Sequence, residues 1–284
     1  MNIIIIKFAC AKCIIFLRMI KIDKSNIVGD IEERPRVCSI ALAGPVGAGK
    51  TTALETLASM VIKTVDPELK HWSEFPIHCN EANFSMARAI VNSKAKFKIL
   101  IARDFDVYLE NCDEAFKLIT SQDDIVNDST RHQDALKFQR FVIHGQILAA
   151  KAIAAAIRPG WSHLVIWDRP TVDHLAFCKM FGILNDVLEE YIRLRIEAQV
   201  LHVERIYYFD VPLETTMASI MERGRSYEIG YWTKERLHKW EEIWADLARD
   251  PCMPDGCSAV VRVERTNAAL HAFAFIYQYF AMNK

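Results

Sequence analysis

Short apolar runs, rich in β-branched residues, alternate along this chain with longer segments in which apolar residues recur at helical spacing. Five runs predict strands: Val37–Ala43, Phe75–Asn80, His163–Trp167, Arg205–Val211 and Ala259–Val263. The segments between and after them predict helices: Thr51–Lys63, a region from about Ser85 to Ile157, Val172–Leu201, Leu213–Glu222, Thr233–Leu247 and Ala268–Met282. Strands that alternate with helices predict an α/β fold with a five-stranded parallel sheet and helices on both faces.

The size of the chain favours one domain. Its 284 residues are 51% hydrophobic and 25% charged, which suits a substantial core and shows no signature of disorder. We predict a single domain over residues 35–284, with residues 1–34 as an extension outside its core. Charges interrupt the apolar start of that extension, so its uninterrupted apolar stretches are too short for a spanning helix. Its basic, acid-free start is also compatible with organelle targeting.

Net charge and cysteine usage narrow the function classes. A net charge of −1 gives no overall field that would attract nucleic acid or an anionic membrane, so we expect neither partner. The eight cysteines are scattered, and Cys10-x-x-Cys13 has no matching pair close by. A four-thiolate zinc site with Cys252 and Cys257 is the less favoured alternative. Reduced thiols predict an intracellular, cytoplasmic protein.

A phosphate-binding loop joins the first predicted strand to the first predicted helix. It reads Gly44-Pro45-Val46-Gly47-Ala48-Gly49-Lys50-Thr51, followed by Thr52, and it fits the pattern G-x-x-x-x-G-K-[ST]. Such a loop turns successive N–H groups and a helix N-terminus toward one anion. The lysine reaches the outer phosphates and the threonine hydroxyl ligates Mg²⁺. The sequence therefore predicts binding of ATP with Mg²⁺.

Two further strand ends carry candidate chemistry. Asp168-Arg169 follows His163–Trp167, where a carboxylate can hold Mg²⁺ and a guanidinium can meet the transferring phosphate. The alternative is a strand end that turns into solvent. Glu81 follows Phe75–Asn80 and can accept a proton from an attacking hydroxyl. Its alternative is an acid that stabilises a helix N-terminus.

Arg223-Gly224-Arg225 lies between two predicted helices. Two arginines around a glycine suit a lid that closes over phosphates, because guanidinium groups make planar, paired contacts with phosphoryl oxygens. The alternative is an exposed, charged helix end.

Together these motifs resemble the deoxyribonucleoside kinase family, including the herpesviral thymidine kinases, from about Val37 to Leu247. The resemblance implies a P-loop kinase fold with an arginine-rich lid, phosphorylation of a deoxyribonucleoside at its 5′-hydroxyl, and a homodimer. It implies a general base at Glu81 and transfer residues at Lys50, Arg169, Arg223 and Arg225.

The same resemblance implies a nucleoside pocket. Gln139, after Phe138, matches the glutamine that contacts the nucleobase, with the paired donor and acceptor of an amide. Asp173 and Phe177 fall where related kinases tune and stack the base, and Glu228 matches the acid that binds the sugar 3′-hydroxyl. A polar helix surface is the alternative for Gln139, and ordinary core is the alternative for Phe177.

Two rival functions stay open at this point. A nucleoside monophosphate kinase of the thymidylate type shares the loop, the Asp-Arg pair and the lid. A non-catalytic nucleotide-binding protein shares the loop alone.

Overall fold

The computed structural model describes residues 34–77, 87–103, 129–197, 201–250 and 258–282. Within these ranges the chain forms an α/β fold of seven strands and eight helices. The strands are β1 Arg36–Ala43, β2 Trp72–Ile77, β3 Ala87–Asn92, β4 Phe97–Ala102, β5 Ser162–Asp168, β6 Arg205–Phe209 and β7 Ala259–Val263. The helices are α1 Lys50–Val65, α2 Ser129–Ala156, α3 Thr171–Met180, α4 Leu184–Glu197, α5 Leu213–Arg223, α6 Ser226–Tyr231, α7 Lys234–Arg249 and α8 Ala268–Met282.

The sheet is mixed, which corrects the prediction of a purely parallel, five-stranded sheet. Its order is β2-β3-β4-β5-β1-β6-β7. The strands from β4 to β7 in this order run parallel, whereas β3 pairs antiparallel with both β2 and β4. The predicted strand Phe75–Asn80 overlaps β2 at residues 75–77, and its last three residues lie outside the described ranges. β2 lies at the outer edge of the sheet. Four strand spacings, roughly 19 Å, separate β2 from β1.

β3 and β4 lie within the region that we expected to be helical from about Ser85 to Ile157. β4 is buried along its whole length and is apolar except for Lys98, so it has no periodicity that distinguishes a strand from a helix. The tight turn between the strands contains Lys96 at φ 49°, and the Asn92 side chain accepts a hydrogen bond from the N–H of Ala95. Turn geometry, more than hydrophobic pattern, therefore defines this hairpin.

The expected helix Val172–Leu201 is two helices, α3 and α4. Gly182 separates them at φ 71°, a conformation that glycine adopts without a steric cost. The break turns α4 back against α2, where Tyr191 donates a hydrogen bond to Gln146.

Two apolar layers cover the two faces of the sheet. Alternate residues of each strand point to opposite faces, so Ile40 and Leu42 pack with α1 and α8, whereas Ala41 and Ala43 pack with α2, α3 and α7. None of the helices in the described ranges is both long and apolar enough to cross a membrane.

Because β4 lies inside the sheet, we expect Leu100→Ala to destabilise the protein strongly. Leu100 is 0% exposed, and truncation leaves a cavity that its neighbours fill only in part. We expect the free energy of unfolding to fall by about 2–5 kcal/mol in urea denaturation. The control is Leu270→Ala, since Leu270 on α8 is 58% exposed. Equal effects of the two substitutions would contradict the burial of β4.

Candidate functional site

The phosphate-binding loop connects β1 to α1 at the carboxyl edge of the parallel strands. Gly47 and Gly49 have φ values of 79° and 90°, which residues with a Cβ atom rarely adopt. A side chain at either position would also meet a close neighbour. A Cβ at Gly47 would lie 3.1 Å from the carbonyl oxygen of Thr216, and one at Gly49 would lie 2.7 Å from Nε of Arg265. The loop is therefore packed tightly between α5 and the turn before α8.

Lys50 begins α1 and is almost fully buried. Its Nζ donates hydrogen bonds to the carbonyl oxygens of Gly44 and Pro45, both at 2.9 Å. The ammonium group thus lies inside the curl of the loop, in the space that an incoming phosphate would share.

Parallel pairing places Asp168 and Arg169 next to this loop. Leu42 of β1 is in register with Asp168 of β5, so the residues that follow the two strands are neighbours. Arg169 lies at φ 108°, a strained conformation for a residue with a side chain. Its Nη1 donates to the carbonyl oxygen of Gly44 at 3.3 Å.

A buried ion pair holds Arg169 in this position. Its Nη1 lies 2.9 Å from Oδ2 of Asp173, one turn into α3, and the Asp173 side chain is 0% exposed. The other oxygen, Oδ1, accepts a hydrogen bond from the indole of Trp244 on α7 at 2.5 Å. Burial raises the pKa of Asp173 to about 6, against the opposing charges of Arg169 and Lys50. Asp173 therefore links the loop, α3 and α7.

Phe177 and Gln139, the predicted base-contacting residues, lie on α3 and α2. Phe177 is half-buried, and its ring centroid lies 5.9 Å from that of Trp232 and 5.8 Å from that of Trp240. Gln139 is buried, and its Oε1 lies 3.8 Å from the thiol of Cys178. Gln139 therefore lies among packed core side chains, whereas the Phe177 ring centroid also lies 5.6 Å from Cζ of Arg169.

A second glutamine lines a cavity beside the Asp168-Arg169 pair. Gln146 lines a small cavity of about 20 Å³ together with Asp168, Arg169 and His174. Sequence reasoning did not single out Gln146 or His174. Both lie on the helices that flank the carboxyl end of β5, so the cavity belongs to the same edge of the sheet as the loop.

The predicted lid arginines share one carboxylate. Oε1 of Glu228 lies 3.3 Å from Nη1 of Arg223 and 3.1 Å from Nη1 of Arg225. Glu228 is 4% exposed, and no group in the described ranges donates a hydrogen bond to its buried Oε2. Gly224, at φ 72°, ends α5 between the two arginines and allows both side chains to reach Glu228. The carboxylate thus holds the turn between α5 and α6.

One cleft brings most of these groups together. It has a volume of about 250 Å³ and opens between the loop, the end of β5 and α5. The residues that line it are Gly47, Ala48, Gly49, Lys50, Thr51, Thr52, Arg169, Ser219, Glu222, Arg223 and Arg265. Four of these side chains are cationic and one is anionic, so the cleft suits a polyanion. Gln139 and Phe177 are not among them, and Glu81 lies outside the described residues.

Thr51 and Asp168 suit a magnesium ion by their chemistry. Mg²⁺ is bound by one or two protein oxygens, with water and phosphate oxygens completing its shell. The described residues contain no cluster of three or more histidine, cysteine or acidic side chains that would suit a transition metal instead. A hydroxyl at the start of α1 and a carboxylate at the end of β5 are compatible with Mg²⁺ that arrives with a nucleotide.

Sequence reasoning missed Arg265, Ser219 and Trp244. Arg265 follows β7 by two residues, so the strand-end argument that identified Asp168 applies to it as well. Ser219 and Trp244 carry no such signal, because they lie within helices at ordinary amphipathic positions.

Comparisons with known proteins leave the family open. No family model matches the chain, and no curated protein matches it. Among solved structures, it is similar to deoxyadenosine kinase from M. mycoides with dCMP and a flexible dCDP bound (16% identity, 86% of this chain and 99% of that chain, TM-score 0.45). For the same kinase with bound dCTP, the identity is 14%, the similarity covers 86% of this chain and 98% of that chain, and the TM-score is 0.47. For the kinase with bound dATP, the identity is 17%, the coverage is 86% of this chain and 99% of that chain, and the TM-score is 0.44.

Because the Asp173 carboxylate is buried, we expect the stability of the protein to depend on pH. The substitution Asp173→Asn should remove this dependence. The folded-state pKa of about 6 lies above the ordinary 3.8, so the stability contributed by the protonated group is lost as pH rises between these values. Relative to the variant, the wild type should lose as much as about 3 kcal/mol of unfolding free energy across this interval.

Urea denaturation of both proteins at several pH values between 3.5 and 7.5 measures this difference. Asp246→Asn, which alters an exposed carboxylate on α7, is the control for general charge effects. A difference between wild type and Asp173→Asn that stays constant over the interval would show that burial does not raise the pKa of Asp173.

Proposed function

We propose that this protein is a kinase that transfers the γ-phosphate of ATP to the 5′-hydroxyl of a deoxyribonucleoside. The observation that carries the proposal is the convergence of Lys50, Arg169 and Arg223 on one cleft at the phosphate-binding loop. Cations outside the loop stabilise the charge that develops on a γ-phosphoryl group as it is transferred to an acceptor. Arg169 and Arg223 come from two elements other than the loop and supply such cations.

In this proposal the loop binds the phosphate chain. The N–H groups around Gly47 and Gly49 and the N-terminus of α1 face the anion. Lys50 exchanges its hydrogen bonds to Gly44 and Pro45 for phosphate oxygens. When bound, Mg²⁺ would supply further charge neutralisation, held by Thr51 and Asp168.

The transfer step follows from the remaining groups. The nucleoside 5′-oxygen attacks the γ-phosphorus in line, a new O–P bond forms, and the bond to the β-phosphate oxygen breaks to release ADP. Glu81 takes the hydroxyl proton. Arg169, Arg223 and Arg225 stabilise the charge that spreads over the transferring group. The role of Glu81 rests on its sequence position.

The acceptor pocket is the less defined half of the proposal. Gln139, Asp173, Phe177 and Glu228 stay predicted substrate residues, although the Asp173 carboxylate is taken up by Arg169 and Trp244. Among the described residues no donor reaches Oε2 of Glu228, so this oxygen can accept a hydrogen bond from a ligand hydroxyl. The single domain over residues 35–284, the homodimer and the cytoplasmic location also stay predictions.

A phosphoryl-transfer screen tests the proposal against its rivals. Purified protein is incubated with ATP and Mg²⁺ and each of the four deoxynucleosides or their monophosphates, and the products are separated by chromatography. We expect a nucleoside monophosphate to form, and Lys50→Met, the control for contaminating kinases, to form none. Phosphorylation of monophosphates alone would identify the thymidylate-type rival. ATP binding without transfer to any acceptor would identify a non-catalytic protein.

Glu81→Gln tests the general base. The amide keeps the shape of the side chain and cannot accept the hydroxyl proton, so we expect kcat to fall by about 10²–10⁴-fold with little change in ATP affinity. Steady-state kinetics and equilibrium ATP binding measure the two quantities. Glu68→Gln, at an exposed glutamate after α1, is the matched control. Turnover of Glu81→Gln at the wild-type rate would remove Glu81 from this role.

A further inference from the structure

Arg265 lies in the turn between β7 and α8, at the edge of the sheet that carries the phosphate-binding loop. β7 ends at Val263 beside the end of β6, and β6 in turn pairs with β1 just before the loop. The carboxyl ends of these parallel strands therefore bring a residue from the last part of the chain to the cleft.

The guanidinium of Arg265 rests on the loop itself. The position that a Cβ of Gly49 would occupy lies 2.7 Å from Nε and 3.3 Å from Cζ of Arg265. Nη1 donates a hydrogen bond to the hydroxyl of Ser219 on α5 at 3.1 Å. The side chain thus spans from the loop to the helix that ends in the lid, with its charge beside the N-terminus of α1.

The charge of Arg265 is balanced differently from that of the other cations in the cleft. Arg169 is paired with Asp173, and Arg223 is paired with Glu228. Lys50 donates to two loop carbonyl oxygens. In the part of the chain that the structure describes, the polar contact of Arg265 is with a neutral hydroxyl, and no carboxylate pairs with it.

An exposed guanidinium held against a phosphate-binding loop without an anionic partner is suited to an anion that arrives in solution. Such a group has lost part of its rotamer freedom through its contacts with Gly49 and Ser219, so less entropy is lost when the anion binds. The anion that the loop is built to bind is the phosphate chain of a nucleotide.

We propose that Arg265 is a phosphate-binding residue for the donor nucleotide, an inference that rests on the proposed ATP-binding function. Arg265 contacts the Gly49 side of the loop, whereas Arg169 approaches from the Gly44 side with Asp173 behind it. Arg265 therefore contributes to holding the donor, and Arg169 and Arg223 contribute to transfer. Its loss raises the KM for ATP and leaves kcat nearly unchanged.

The test compares Arg265→Gln, Arg265→Lys and wild type in binding ATP and inorganic tripolyphosphate by calorimetry, together with steady-state kinetics. Tripolyphosphate has no base or sugar, so it reports contacts to phosphate alone. We expect Arg265→Gln to weaken both ligands about tenfold, in line with the loss of a charge-assisted hydrogen bond. Arg265→Lys keeps the charge but not the planar guanidinium, so its affinity for both ligands should lie between those of wild type and Arg265→Gln. Arg249→Gln, at an exposed arginine on α7, is the control.

The outcomes separate this inference from the function on which it rests. Weaker binding of ATP with unchanged binding of tripolyphosphate would place Arg265 at the base or sugar and overturn the inference. Unchanged binding of both ligands by Arg265→Gln would overturn it as well, with the wild-type ATP site intact. Wild-type protein that binds neither ligand would overturn the phosphate site as a whole. Wild-type protein that binds both and transfers no phosphate would leave Arg265 in its role and refute the kinase.

Discussion

Parallel pairing between β1 and β5 is the interaction on which the site depends. The two strands are in register from Arg36 with Ser162 to Leu42 with Asp168, and both are buried over most of their length. Because they end together, the first residue of the loop and the first residue after β5 emerge side by side. Arg169 can then donate to the carbonyl oxygen of Gly44. A slip of one residue in this register would turn Asp168 to the other face of the sheet.

Carboxylates behind the cleft hold its arginines. Asp173 pairs with Arg169, and Glu228 pairs with both Arg223 and Arg225. Both acids are nearly inaccessible, and burying a charge is costly unless it is paired. Each pair therefore fixes a guanidinium in place and also reduces its net positive charge in the cleft. The same buried groups that orient the site limit its attraction for phosphate, and the exposed Arg265 restores part of that attraction.

Sequence reasoning predicted the parts of the fold that follow from local patterns. The glycines of the loop, the apolar run of β1 and the helical periodicity of α1 are all encoded within a few residues of one another. The hairpin of β3 and β4 was missed because six buried residues such as Phe97–Ala102 show no alternation. The antiparallel pairing of β2 with β3 was also missed, since strand pairing depends on contacts that the pattern of either segment alone does not show.

The candidate site shows the same division. Asp168, Arg169 and Arg223 could be predicted because strand ends and an Arg-Gly-Arg sequence are local signals. Asp173 and Glu228 lie within five residues of the arginines that they hold, yet these pairings were not predicted, because both acids were assigned to the substrate. Trp244, which donates to Asp173 from 71 residues away, gives no local signal. Gln139 shows the opposite case: a matching motif identifies it, whereas the structure places it beside Cys178 in the core, and its contact with a nucleobase stays a prediction.

The backbone of Arg169 has a consequence for how this protein can change. A φ of 108° strains any residue except glycine, at a cost on the order of 1–3 kcal/mol. Glycine would relieve the strain and delete the guanidinium that joins the loop to Asp173. Glycine would also leave the Asp173 carboxylate buried without this cation, at a cost of about 3–5 kcal/mol, which exceeds the strain that it removes. The ion pair therefore favours arginine at a position where the backbone alone would favour glycine.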